Sequence, residues 1–132
     1  MSKKVLLINP WIYDFAAYDF WLKPLGLLYL GGLLRANHHR ISCIDCLDPY
    51  NSLMLQKSGK APKRHAYGHG RFFRQVIEKP SCLEAIDRSY CRYGMDPSVF
   101  RKEIARFSDT DVVLVTSMMT YWYPGVFDVI KI

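Results

Sequence analysis

Thr116, Ser117, Met118, Met119 and Tyr121 bring hydroxyl, thioether and phenol groups together directly behind the apolar run Val112-Val-Leu-Val115. A short hydroxyl in such a place can face a bound ligand, and Ser117 is the best placed of the set. Met118 serves equally well as a cap on the core. Cys43-Ile-Asp-Cys46 has the CxxC spacing that, on a turn, chelates a metal or cycles as a disulfide. Arg88-Ser-Tyr-Cys-Arg-Tyr-Gly94 sets two arginines beside two tyrosines, a combination that can hold phosphate and stack on a base. Gly68-His-Gly70 starts like a phosphate-binding glycine loop, but no third glycine follows and no strand precedes it.

Elements must position these groups. Val112 to Val115 show no polar alternation, so both faces of the strand should be covered, as in a parallel sheet flanked by helices. Thr116 to Tyr123 then lie at the strand's carboxyl end, where open α/β sheets bind their ligands. Val5 to Ile8 predict the first strand, closed by Asn9-Pro10. Trp11 to Lys23 read as a long loop over the same edge, a kind of segment that is usually functional. Pro24 opens a helix whose apolar face is Leu27, Leu28, Leu30 and Leu34. Gly31-Gly32 inside it cost about 1 kcal/mol each relative to alanine, and close packing on the sheet is the expected compensation. Ile41 to Cys46 predict a second strand, parallel to the first in a βαβ unit. On a strand, positions three apart point to opposite faces, so Cys43 and Cys46 read as buried structural cysteines and not as a chelate.

Residues 50–97 predict a basic, irregular insertion with short helices at Phe72 to Glu78 and Cys82 to Tyr90. A helix is expected over Ser98 to Phe107 and another from Pro124 onward. The third strand then lacks a neighbour on one side and exposes a flat apolar edge, so the chain is expected to be the amino-terminal piece of a longer protein.

At 132 residues the chain suits one domain, able to bury roughly two thirds of its unfolded surface. With 50% hydrophobic and 23% charged residues it falls in the globular class. The apolar stretch Leu25 to Leu34 is far shorter than the ~20 residues of a membrane span. Ser2-Lys3-Lys4 runs straight into the first strand, so no signal peptide is read, and the expectation is a cytoplasmic protein with four free thiols. Residues 57–106 hold 12 Lys/Arg against 5 Asp/Glu, a local +7, which leaves −1 of the total +6 for the remainder. A basic segment is set into a near-neutral frame, which admits a nucleic-acid or other anionic partner.

Lys4-Val-Leu-Leu-Ile-Asn-Pro10, Tyr13 to Trp21, Lys23-Pro-Leu-Gly-Leu-Leu-Tyr-Leu30, Arg88 to Gly94 and Val112 to Gly125, in that order, resemble the amino-terminal, cobalamin-binding-type domain of radical S-adenosylmethionine proteins. The resemblance spans nearly the whole chain. It implies an α/β, Rossmann-like (cobalamin-binding or flavodoxin-like) parallel sheet, truncated after about three strands. It also implies that a barrel carrying S-adenosylmethionine and a [4Fe–4S] cluster follows in the intact protein, and that this remainder of the polypeptide is the domain's partner. Asn9 and Pro10 match the first loop, and Ser117-Met-Met119 matches the family's SxL motif, with Met119 where leucine is usual. Asn9, Pro10, Thr116, Ser117, Met118, Met119 and Tyr121 are thereby the implied cofactor-facing residues, with no catalytic residue and no metal ligand in this piece.

The departures matter as much. No histidine lies in the first loop, so any cobalamin would be bound without histidine ligation or not at all. His65-Ala-Tyr-Gly68 is the second half of DxHxxG, the motif that supplies cobalamin with an axial histidine, but Lys63 stands at the Asp position and the segment follows the second strand. No CxxxCxxC is present, so this chain alone cannot hold the cluster. The alternative is a non-catalytic docking domain of the same fold that lacks corrinoid and engages substrate or nucleic acid through its basic segment.

Overall fold

The structure, a computed structural model, describes residues 1–132. Strand β1 (Lys4–Asn9) lies at the centre of a three-stranded parallel sheet, between β3 (Arg40–Asp45) and β6 (Val112–Val115). Leu7 stands opposite Cys43 on one side and Leu114 on the other. Helix α1 (Leu25–Ala36) joins β1 to β3 and covers one face, where Leu27 and Leu34 meet Val5, Leu7, Ile41 and Leu114. The other face carries the larger core: Leu6, Ile8, Ile44 and Cys46 pack against Val99 and Phe100 of α3 (Pro97–Ile104) and Val129 of α4 (Tyr123–Lys131). Alternation along β1 thus feeds two cores, one per face. The fold is α/β with a Rossmann-like parallel sheet flanked by helices, and no helix is long and apolar enough to cross a membrane.

The remaining elements depart from the sequence expectation. Trp11 to Lys23 is not all loop. It begins with β2 (Ile12–Asp14), which pairs antiparallel with β5 (Cys91–Tyr93), itself paired with β4 (Arg74–Val76). Residues 50–97 therefore supply two of the three strands of a second small sheet as well as α2 (Ser52–Ser58), whose amino end is capped by the Asn51 side chain accepting from Met54 N–H at 3.0 Å. The helix expected at Phe72 to Glu78 is strand β4, and only a short 3-10 turn, Ser81–Leu83, stands where Cys82 to Tyr90 was expected to be helical. Three-residue strands carry no readable alternation, so long-range pairing decides their state. Ile12, Cys91 and Tyr93 of this sheet are buried in one cluster with Phe72 and Trp122.

Val112 and Val113 were expected to be covered on both faces. They are 42% and 48% exposed, because β6 pairs only with β1 and its outer edge is free. The opposite edge, β3, is also free but carries Arg40 and Ser42, whereas β6 carries only Val and Leu. Helix α1 departs in the same direction. Leu27 is buried, yet Leu25, Leu28, Tyr29, Leu30 and Leu33 face outward, with Tyr29 86% exposed. Cys43, expected to be buried, is exposed on the β3 edge, while Cys46 lies in the core.

The two α1 glycines separate. A Cβ on Gly31 would come within 2.6 Å of Leu7 Cδ1, so close packing on the sheet accounts for it, whereas a Cβ on Gly32 would meet nothing within 4 Å. Gly32→Ala is expected to raise the stability by about 1 kcal/mol, and Gly31→Ala to lower it by about as much once crowding is counted. Urea midpoints of the two variants check the contrast, and equal shifts would contradict the packing of α1 on Leu7.

Asp96 ties the second sheet to the frame. It caps α3, accepting from Ser98 N–H at 2.8 Å, and pairs with Lys57 of α2 at 2.8 Å and Arg92 of β5 at 3.2 Å. Burial pushes its carboxyl upward, but the bonds from Lys57 and Ser98 outweigh this and hold it at about 2. With the folded value below the unfolded ~3.9, its stabilisation is complete above pH ~4 and is lost as pH falls through about 2. Asp96→Ala is expected to cost about 1–2 kcal/mol at neutral pH and to flatten the pH dependence of stability over that acidic window, measured by denaturation at stepped pH.

Candidate functional site

The parallel strands deliver their carboxyl ends to one place. There Asn9, Pro10, Trp11 and Ile12 of the first loop face Thr116, Ser117, Met118 and Trp122 across a space of about 10 Å³. Backbone bonds fix the approach: Thr116 N–H donates to Ile8 O at 3.1 Å, and Cys46 N–H to Asn9 O at 2.8 Å. The Asn9 amide is 1% exposed and donates to Asp45 Oδ1 at 2.8 Å, while Lys23 pairs with Asp45 Oδ2 at 3.2 Å. Asn9 is thereby committed to bracing β1 against β3. The Ser117 hydroxyl donates to Met119 O at 2.6 Å and shapes the turn that follows β6.

Two tryptophans fill the edge. Trp11 is 1% exposed and packs edge-on against Phe100, with ring centroids 5.4 Å apart. Trp122 is buried and donates its indole N–H to Asp14 Oδ2 at 2.8 Å, which pins the β6 loop to β2. Tyr13 on the same strand donates to Asp128 of α4 at 2.6 Å, and burial together with that carboxylate pushes the phenol up to about 12. Residues 11–14 thus lock both the turn after β6 and helix α4.

Of the seven implied cofactor-facing residues, Asn9, Pro10, Thr116, Ser117 and Met118 line the common space. Met119 and Tyr121 do not line it and are exposed. About 10 Å³ is room for roughly one water, so the edge as folded does not enclose a corrin macrocycle. No histidine lines it either. His38 and His39 lie where α1 enters β3, with His39 Nδ1 accepting from Lys3 N–H, and His65 stacks on His69 at 4.7 Å in the loop of the insertion.

The other sequence candidates disperse. Cys46 is in the core, where burial first and Asp45 second push its thiol well up, and Cys43 faces out on the sheet edge; no cluster of three or more His, Cys, Asp or Glu could hold a metal. Tyr90 and Tyr93 are buried and Arg92 is engaged by Asp96, so the Arg88 to Gly94 segment is structural and offers no stacking platform. The reading from sequence missed Trp11, Asp14, Asp45 and Trp122 as the residues that set the edge. Trp11 and Asp14 flank and close a three-residue strand too short for a periodic signal, and the roles of Asp45 and Trp122 depend on partners distant in sequence, Asn9 and Asp14. No family model, curated protein or solved structure matches the chain.

Proposed function

We propose that this chain is the amino-terminal, cobalamin-binding-type Rossmann-like domain of a cytoplasmic radical S-adenosylmethionine protein. In this reading it presents its strand-end edge to the [4Fe–4S]/S-adenosylmethionine site of a barrel that follows in the same polypeptide. One observation carries it. Asn9-Pro10 and the first two residues of the Ser117-Met-Met119 word, over a hundred positions apart in sequence, line one space at the carboxyl edge of a parallel sheet. The outward leucines of α1 and the free apolar edge of β6 support the same reading, since contiguous exposed apolar surface and an unpaired edge strand mark places where further protein packs.

Cobalamin is the cofactor that the motif order points to, and Ser117, Met119 and Tyr121 are the exposed members of the set that would meet it, without a histidine ligand. A second reading is favoured by the filled edge: a docking domain of the same fold that has given up the corrinoid, with Trp11 and Trp122 occupying its place. Anaerobic reconstitution of the intact protein with hydroxocobalamin, followed by gel filtration, separates them. Corrinoid absorbance that co-elutes with protein supports the first, and its absence leaves the docking reading.

A further inference from the structure

The basic insertion forms a concave site distinct from the strand-end edge. A cavity of about 560 Å³ is walled by Lys60, Lys63, Arg71 and Arg74 over a floor that includes Tyr18 and Tyr93. Its volume falls in the range of small-molecule sites. No carboxylate lines it, and none of the four cations has an ion-pair partner anywhere in the chain. Four like charges around one concavity repel each other, and an anion placed among them relieves that cost. The nearby acidic groups are already spent: Asp19 is buried against Arg64, and Asp96 is held by Lys57 and Arg92.

The walls are fixed in advance. Gly70 and Asp19 exchange backbone bonds at 2.9 and 3.0 Å, Arg71 N–H donates to Lys63 O at 2.9 Å, and the buried Arg64–Asp19 pair at 2.5 Å clamps the loop that carries Lys60 and Lys63. Trp21 donates its indole N–H to Tyr67 O at 2.8 Å and closes that loop from outside. Arg74 comes from β4, and its guanidinium Nε donates to Cys91 Sγ at 3.1 Å, which orients the fork. A loop held by a buried ion pair and a strand arginine held by a core thiol are preorganised for multidentate anion binding.

We propose that this cavity binds a small phosphorylated ligand of multiple negative charge, its phosphates held by Lys60, Lys63, Arg71 and Arg74. The bounded concavity, with Tyr93 buried and not displayed as a stacking face, favours a small molecule over a nucleic-acid strand, which needs a continuous groove and stacked exposed rings. The test is calorimetric titration of the chain with tripolyphosphate, beside a single-stranded RNA oligonucleotide as competitor. Saturable one-to-one binding of tripolyphosphate is expected, weakened at least about tenfold by Lys63→Glu with Arg71→Glu. The control pair Arg101→Glu with Lys102→Glu makes the same change in net charge on the exposed side of α3 and should leave binding nearly unchanged. Circular dichroism confirms that each variant is folded, and Lys63→Gln with Arg71→Gln should give an intermediate loss. Equal weakening by both charge-reversal pairs, no saturable binding, or RNA bound more tightly and not displaced by tripolyphosphate would each overturn the proposal.

Discussion

Phe100→Ala is expected to lower the unfolding free energy by about 3–5 kcal/mol, a large share of the ~5–15 kcal/mol that a domain of this size possesses. Phe100 is fully buried, belongs to the larger core and supports the Trp11 indole edge-on. Removing its ring leaves a cavity between α3 and the sheet that the β1 side chains, held in a paired strand, cannot collapse to fill. Because Trp11 also lines the strand-end space, the loss should loosen the candidate site as well as the core. Urea denaturation followed by tryptophan emission reads both, and a cost below about 1 kcal/mol would contradict the packing described.

The second large effect is at Gly125. A methyl group there would overlap the Trp11 carbonyl oxygen, which is backbone and cannot swing aside as a side-chain end can. Gly125→Ala should therefore push the start of α4 off the first loop and cost about 2–3 kcal/mol, despite the gain in helix propensity. The same substitution at Gly32 is expected to stabilise, so the pair isolates close approach from glycine's intrinsic cost. Denaturation midpoints of the two variants should move in opposite directions. Movement of both upward would show that α4 does not press on Trp11.

The frame of the molecule was legible in the sequence because its strands are apolar runs long enough to be read. Val5 to Ile8, Ile41 to Cys46 and Val112 to Val115 became β1, β3 and β6 in parallel, and helices from Leu25, Pro97 and Tyr123 lie close to where proline and periodicity place them. The second sheet was not legible. Ile12–Asp14, Arg74–Val76 and Cys91–Tyr93 are three residues each, and they pair across tens of positions on the strength of buried Ile12, Cys91 and Tyr93. For the same reason the site was only half visible. Asn9, Pro10 and residues 116–118 could be placed at a strand end, but their closure by Trp11 and Trp122 depends on β2, which no local pattern announces. The +7 balance of residues 57–106 admitted an anionic partner without placing it, while the convergence of Lys60, Lys63, Arg71 and Arg74 on one cavity required the loop that Asp19 and Arg64 hold in place.

The family reading ties these observations together, and S-adenosylmethionine cleavage by the intact protein tests it most directly. After anaerobic reconstitution with iron and sulfide, and on addition of a strong one-electron reductant, the reading predicts [4Fe–4S] absorbance and release of 5′-deoxyadenosine from S-adenosylmethionine. A folded protein that takes up no cluster and releases none of that product would contradict it.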